Sequence, residues 1–94
     1  MRLAWTAPAL RDLRSAQAWI AADRPMAAAA QIVKIVESAS GLTAFPNQGR
    51  IGRRSGTREL VVPRTPFIIA YRVSEDRVEI LRVIHGAQRW PESL

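Results

Sequence analysis

The sequence predicts an α+β fold of order β-α-α-β-β-β: an N-terminal strand, a two-helix antiparallel hairpin, then a three-stranded antiparallel meander. Three observations carry this reading. Apolar residues recur at spacings of three and four through two early segments. Three later segments are dense in Val, Ile, Leu and aromatics and are separated by turn sequences. The 94 residues, 48% of them apolar, suffice for one core but not two, so residues 1–94 read as a single domain.

Arg2 to Thr6 (RLAWT) is a short apolar-polar run stopped by Thr6 and Pro8, a strand leading into a helix capped by Thr6. From Pro8 to Ala22, Leu10, Leu13, Ala16 and Ile20 form one stripe, with Arg11, Arg14 and Gln17 off it. Asp23-Arg24-Pro25 breaks the chain, and Pro25 suits the first turn of a second helix. Met26, Ala29, Ile32, Val33, Val36 and Ala39 make its stripe, while Ala27 to Ala30 favour helix and let another backbone approach closely. Gly41 is the stop. Residues 42–56, with Pro46, Asn47, Gly49, Gly52 and Gly56, read as a loop.

Thr57 to Val62, Phe67 to Val73 and Val78 to Ile84 are the meander strands, joined by Pro63-Arg64-Thr65-Pro66 and Ser74-Glu75-Asp76-Arg77. Symmetrical turns set Val62 opposite Phe67 and Val73 opposite Val78. One face then carries Arg58, Leu60, Val62, Phe67, Ile69, Tyr71, Ile80, Arg82 and Ile84. The other carries Glu59, Val61, Ile68, Ala70, Arg72, Glu79, Leu81, Val83 and His85, with Arg72 and Glu79 as a cross-strand pair. Both faces are largely apolar, so the helices cover one and the tail or a partner covers part of the other. The tail His85 to Leu94 (HGAQRWPESL) reads as irregular, with Trp90 folded back on the body; Trp5 and Trp19 read as core or helix-packing residues.

Fourteen basic residues against eight acidic ones give a net charge of +6, and 13 of the 14 are arginine. Five basic and three acidic residues fall in 1–47, nine and five in 48–94, so the excess lies mainly in the second half. The planar guanidinium fork suits carboxylate or phosphate, which implies an acidic partner, nucleic acid or protein. With no cysteine there are no disulfides, thiolate metal clusters or thiol nucleophiles. The lone histidine, His85, and scattered acidic residues give no metal set, and Gly52 and Gly56 lack the Lys-Ser/Thr of a phosphate loop, so no cofactor is expected. No apolar stretch approaches the roughly 20 residues of a membrane span, and Pro8 and Arg11-Asp12 interrupt any leader, so a cytoplasmic protein is expected.

Two groups of residues have chemical promise. His85, at the end of the last strand before Gly86, has the position of a general base, or simply of a ring bonded to backbone. Arg50, Arg53, Arg54 and Arg58 form a run without an intervening acid up to Glu59, fit for phosphate or an acidic segment, or for solvent alone.

The element order, together with FPNQGR, GTRELVVPRTPFIIAYRV and VEILRVIHGAQRWP, resembles the RelE/ParE superfamily of toxins of type II toxin–antitoxin systems over nearly the whole chain. The resemblance implies one of two activities. RelE-type members are ribosome-dependent mRNA endoribonucleases with basic groups on one sheet face and a late proton-transfer residue. Here Glu59, Val61, Ile68 and Gln88 stand where that branch carries its basic residues; a ribonuclease would be left with His85, Arg89 and Arg58. The GTRELVV, IIAYRV and HGA…WP segments look more like the ParE branch, whose members are binding toxins that poison DNA gyrase rather than enzymes. That branch usually has arginine directly after His-Gly-Ala, whereas Gln88 stands there with Arg89 next.

On this resemblance Arg82, Arg89 and Trp90 are the gyrase-binding candidates. Arg50, Arg53, Arg54 and Arg58, with the groove beside the helical hairpin, are the candidates for binding a ParD-like antitoxin that folds on the toxin. The implied complex is a heterotetramer or larger, reaching operator DNA only through the antitoxin. An inactive relative that serves only as antitoxin partner or co-repressor is the remaining alternative.

Overall fold

The computed structural model describes residues 1–92 and 94; Ser93, inside the tail read as irregular, lies outside them. The elements are β1 (Arg2–Trp5), α1 (Ala7–Asp23), α2 (Pro25–Gly41), β2 (Arg50–Ile51), β3 (Arg58–Val61), β4 (Phe67–Val73) and β5 (Arg77–His85). The predicted order holds with one strand added. β2 lies inside the segment read as loop, so the sheet has five strands, ordered β1-β5-β4-β3-β2. β1 runs parallel to β5, and the other pairs are antiparallel.

Local chemistry accounts for the helix ends. Thr6 is extended (φ −72°, ψ 160°), and its hydroxyl oxygen accepts the Ala9 N–H at 3.3 Å. The same hydroxyl donates to the Ile80 carbonyl at 2.8 Å, which ties the start of α1 to β5. Pro8 and Pro25 occupy first-turn positions, where a missing N–H costs nothing.

The turn register is the symmetrical one: Val62 N–H donates to Phe67 O, and Val73 stands opposite Val78. A bulge then alters the faces. Phe67 to Ala70 pair with His85 to Arg82, but Tyr71 pairs with Ile80, leaving Leu81 as the extra residue. One inserted residue reverses every side chain beyond it. Val83 and His85 therefore share the helix-covered face with Phe67, Ile69, Tyr71 and Ile80, while Arg82 and Ile84 belong to the other face, the reverse of the symmetrical expectation. Glu79 stands opposite Arg72 as expected, yet its carboxylate takes Arg77 at 3.4 Å and the Ser74 hydroxyl at 3.3 Å.

The core lies between the hairpin and the first face, around Ala9, Ala16 and Ile20 of α1, Ala28, Ile35 and Ala39 of α2, and the fully buried Tyr71, Ile69 and Ile80. The two stripes are therefore displaced from those read in the sequence. Leu10 is 38% exposed, Met26, Ala29, Val33 and Val36 face outward, and Trp19 is 67% exposed rather than core. Trp5 does pack against the core. On the second face Ala70 and Ile84 are fully buried, and the tail returns to that side, where Trp90 and Pro91 meet Arg53 and Arg54. No helix among the described residues is long and apolar enough to cross a membrane.

α1 is pinned to β5 by Asp12. Its carboxylate accepts Arg82 Nε at 2.6 Å, Arg82 Nη2 at 3.0 Å and the Val83 N–H at 2.9 Å. The carboxylate holds the Arg82 guanidinium above its ordinary pKa, against the opposing effect of partial burial. Replacing Asp12 by Ala leaves a half-buried guanidinium and a strand N–H without their acceptor. Asp12→Ala is expected to cost about 2–3 kcal/mol, below the range for fully buried pairs because both groups keep some solvent, as read by urea unfolding.

Candidate functional site

The basic segment is not a free loop. Tyr71, fully buried on β4, places its hydroxyl under the turn at 46–49: the O–H donates to Pro46 O at 2.7 Å, and the oxygen accepts Gly49 N–H at 2.9 Å. Burial pushes the Tyr71 phenol up from its ordinary pKa, although the Gly49 amide and the Arg58 charge oppose it. A Cβ on Gly49 would lie 2.7 Å from the Tyr71 ring and 2.8 Å from Glu59 O, so the phenol fits beneath the turn only because position 49 is glycine.

Glu59 organises the arginines. It is 3% exposed and pairs in register with Arg50. One oxygen accepts Arg50 Nη2 at 3.0 Å and Nε at 3.2 Å; the other accepts the Arg53 backbone N–H at 2.7 Å and Arg53 Nε at 3.3 Å. Burial alone would push this carboxyl up, but the Arg53 amide and the two guanidiniums outweigh it and hold Glu59 below its ordinary value. Arg58 donates to Gly49 O at 2.8 Å.

The tail completes the cluster. The Arg53 guanidinium carbon lies 3.6 Å from the centre of the Trp90 ring, and Arg54 Nη2 donates to Pro91 O. Arg50, Arg53 and Arg54 are thus brought together and Trp90 from the second candidate group joins them, whereas Arg58, on the Tyr71 side of β3, is turned to the opposite face. Arg82 does not join them; it is turned onto Asp12. Arg89 is exposed.

His85 lies elsewhere. Its ring packs edge-on against Trp19 and Phe67, with centroids 5.6 and 5.5 Å away, and Nδ1 accepts the Ala87 N–H at 3.1 Å. Open cavities of about 490 and about 550 Å³ flank the Trp19–His85 pair. Through β4, Arg58 is level with Tyr71 and His85 with Phe67. Four residues of strand, about 13 Å, and one intervening strand separate them. His85 and Arg58 therefore do not converge on one phosphate. Sequence reasoning missed the organising parts played by Asp12, Glu59 and Tyr71. Only the solitary acid after four arginines hinted at one of them.

Comparison with known proteins decides the family. The family model described as "ParE toxin of type II toxin-antitoxin system, parDE" matches residues 3–90. The chain belongs to the ParE toxin family. Y4kP of Sinorhizobium fredii, a candidate toxin by its name, is 46% identical over 93 residues, covering 99% of this chain and 96% of that protein. Toxin RelE2 of Caulobacter vibrioides is 31% identical over 87 residues, covering 93% and 97%. Among solved structures, a chain of the chromosomal ParDE toxin–antitoxin system of P. aeruginosa superposes with a TM-score of 0.83 at 31% identity, covering 90% of this chain and 95% of that one. A chain of the RelBE2 toxin–antitoxin complex of Mycobacterium tuberculosis gives a TM-score of 0.61 at 31% identity, covering 89% and 95%. The α+β topology of this toxin is thus that of the RelE/ParE superfamily, on the ParE side.

The Glu59 network gives a pH-dependent stability of defined sign. A carboxyl whose folded pKa is depressed contributes stability that is present above its unfolded pKa, near 4.5, and lost as pH falls through the folded value. Glu59→Gln is expected to lower stability at neutral pH by about 1–3 kcal/mol, since Arg50 and Arg53 are half exposed and regain water. Its Tm should also fall less steeply than that of the wild type as pH drops below 4.5. Thermal unfolding of both proteins from neutral to acid pH checks the two statements together.

Proposed function

We propose that this ParE-family toxin, folded as one domain over residues 1–94, acts in the cytoplasm by binding DNA gyrase and trapping its cleaved-DNA state, and that a ParD-like antitoxin neutralises it. The observation that carries binding over catalysis is the separation of His85 from Arg58, with a buried carboxylate, Glu59, on the strand face between the arginines. RNA cleavage needs a proton-transfer group and phosphate-binding cations at one point. Here the cations gather at one end of the sheet and the imidazole sits at the other.

Arg89 and Trp90 are the proposed gyrase contacts, on the tail beside the arginine cluster. Arg82, bonded to Asp12, contributes by holding the strand from which the tail departs. Arg50, Arg53, Arg54 and Arg58 form the proposed seat for the antitoxin's acidic segment: Arg50 and Arg53 share the one carboxylate of Glu59 while Arg54 and Arg58 bond only backbone carbonyls, so local charge remains to be matched. The antitoxin, not the toxin, would reach operator DNA, in a heterotetramer or larger complex.

Antitoxin-free protein is added to gyrase, supercoiled plasmid and ATP, and DNA is examined after detergent and protease treatment. Linear plasmid is expected, with less of it for Arg89→Ala and Trp90→Ala. Intact supercoiling with gyrase of the native host, together with messenger cleavage on translating ribosomes, would replace this reading with the ribonuclease one. A separate titration with cognate antitoxin is expected to show weaker binding for the double variant Arg53→Glu, Arg54→Glu and a loss of affinity with salt in the wild type. Unchanged affinity at both low and high salt removes the cluster from that interface.

A further inference from the structure

The contact between the tail and the arginine segment is incompletely satisfied. Arg54 Nη2 donates to Pro91 O, and the Arg53 guanidinium lies on the Trp90 ring. Yet Arg54 Nε and Trp90 Nε1 are both buried and meet no acceptor. Both are donors, so what the contact lacks is an acceptor. The Nε–H and Nη2–H of a guanidinium project side by side along one edge, which matches a carboxylate. This chain sets that edge on a carboxylate twice. Arg82 gives Nε and Nη2 to the two oxygens of Asp12, and Arg50 gives the same pair to one oxygen of Glu59. On Arg54 the edge carries one backbone carbonyl at Nη2 and nothing at Nε.

We propose that the Nε–Nη2 edge of Arg54 is a carboxylate-binding site latched by the tail, and that an aspartate or glutamate side chain of an acidic polypeptide takes it by displacing Pro91 and, with it, Trp90. This rests on the reading that the arginine segment seats an acidic partner, and adds the atoms that bind and the part that moves. The site is preformed. Thr57 donates to Arg54 O from its N–H at 3.2 Å and its hydroxyl at 2.6 Å, and Gly52 N–H donates to Thr57 O at 2.8 Å. Backbone bonds therefore hold residue 54 whatever its side chain does.

The exchange of bonds favours the incoming group. A carboxylate gives Arg54 two charge-assisted hydrogen bonds in place of one to a neutral carbonyl, and the released Trp90 Nε1 regains water. Glu59 cannot serve Arg54 instead, since its oxygens already engage Arg50 and Arg53. The pivot of the movement is equally defined. Gly86 N–H donates to Pro66 O at 2.7 Å, His85 N–H to Gln88 Oε1 at 2.9 Å and Ala87 N–H to His85 Nδ1 at 3.1 Å, so the turn at 85–88 stays on the sheet while Arg89 to Pro91 swing away. The two proposed contacts of this toxin are thereby linked: the group that occupies Arg54 also frees Trp90.

Poly-L-glutamate is the probe, so neither gyrase nor antitoxin enters the test. The three tryptophans of the ¹⁵N-labelled chain give three indole N–H signals, that of Trp90 being the one lost in Trp90→Phe. In the free chain it is expected to exchange slowly with water. Polyglutamate should shift it and speed its exchange, whereas sodium chloride of equal ionic strength should not, and the Trp5 and Trp19 signals should stay in place. Calorimetry reads the affinities. Arg54→Lys keeps the charge but lacks the two-donor edge, and should bind at least about fivefold more weakly with unchanged circular dichroism. Trp90→Ala weakens the competing tail and should bind about threefold more tightly. Polyglutamate that binds while the Trp90 signal stays fixed overturns the latch and leaves Arg50 and Arg53 as the seat; no binding at all removes both. Equal affinity of Arg54→Lys also overturns the proposal, as does release of Trp90 by a single-stranded oligonucleotide but not by polyglutamate, which would assign the edge to phosphate. Release of Trp90 by Glu92→Gln alone would show the tail's own carboxylate to be the latch and overturn it likewise.

Discussion

Glu59 is 3% exposed in a chain of net charge +6, and the arrangement of its arginines is organised around that carboxylate. Taking an ionised carboxylate out of water costs several kcal/mol, which is offset only when its oxygens are fully engaged. Here they are, by the Arg53 amide and by two guanidiniums. Tyr71 and Arg58 hold the start of the segment at 46–49, but the strand itself adds little. β2 is two residues long, and Ile51 is 74% exposed. The effect extends to the tail, because the guanidinium that Glu59 orients is the one lying over Trp90. A carboxylate on β3 thereby sets the position of a residue 31 places further along the chain.

How much of this was legible in the sequence follows from what decides each feature. Thr6 and Pro8, Pro25, and the turns at 63–66 and 74–77 act through neighbours in the chain, and each does what local chemistry predicts. The bulge at Leu81 does not announce itself, since Ile80 and Leu81 are both apolar and either register buries one of them. Only the chain's need to bring Val83 over the core selects between the registers. α2 presents the same ambiguity around its axis. The set 26, 29, 33, 36 and the set 28, 32, 35, 39 are both apolar stripes of helical period, and packing against the sheet chooses the second. Trp19 would fill a core by size, yet it stands outside against His85.

The candidate site was legible in composition and illegible in geometry. A run of arginines is visible at once, but the acids that engage arginine are distant or unexpected. Asp12 is 70 residues from Arg82, and Glu59 sits in a strand where alternation alone would leave it on a solvated face. Tyr71 reads as one more aromatic of an apolar strand until the turn at Pro46 and Gly49 is seen to rest on its hydroxyl.

These contacts change what the arginine excess means. Arg50, Arg53, Arg54, Arg58 and Arg82 all bond within the molecule, two of them to backbone carbonyls alone and three to carboxylates. Lysine would not substitute, because its compact ammonium cannot engage Asp12 with two parallel donors or lie flat on Trp90. Part of the positive charge is therefore structural in origin and would be present with no acidic partner at all. What remains for a partner is set by geometry: each guanidinium has five N–H donors, and Arg53 spends its Nε on Glu59. An acidic segment approaching this cluster would add acceptors at the outward-facing donors rather than displace Glu59, whose burial makes its own bonds the harder ones to exchange.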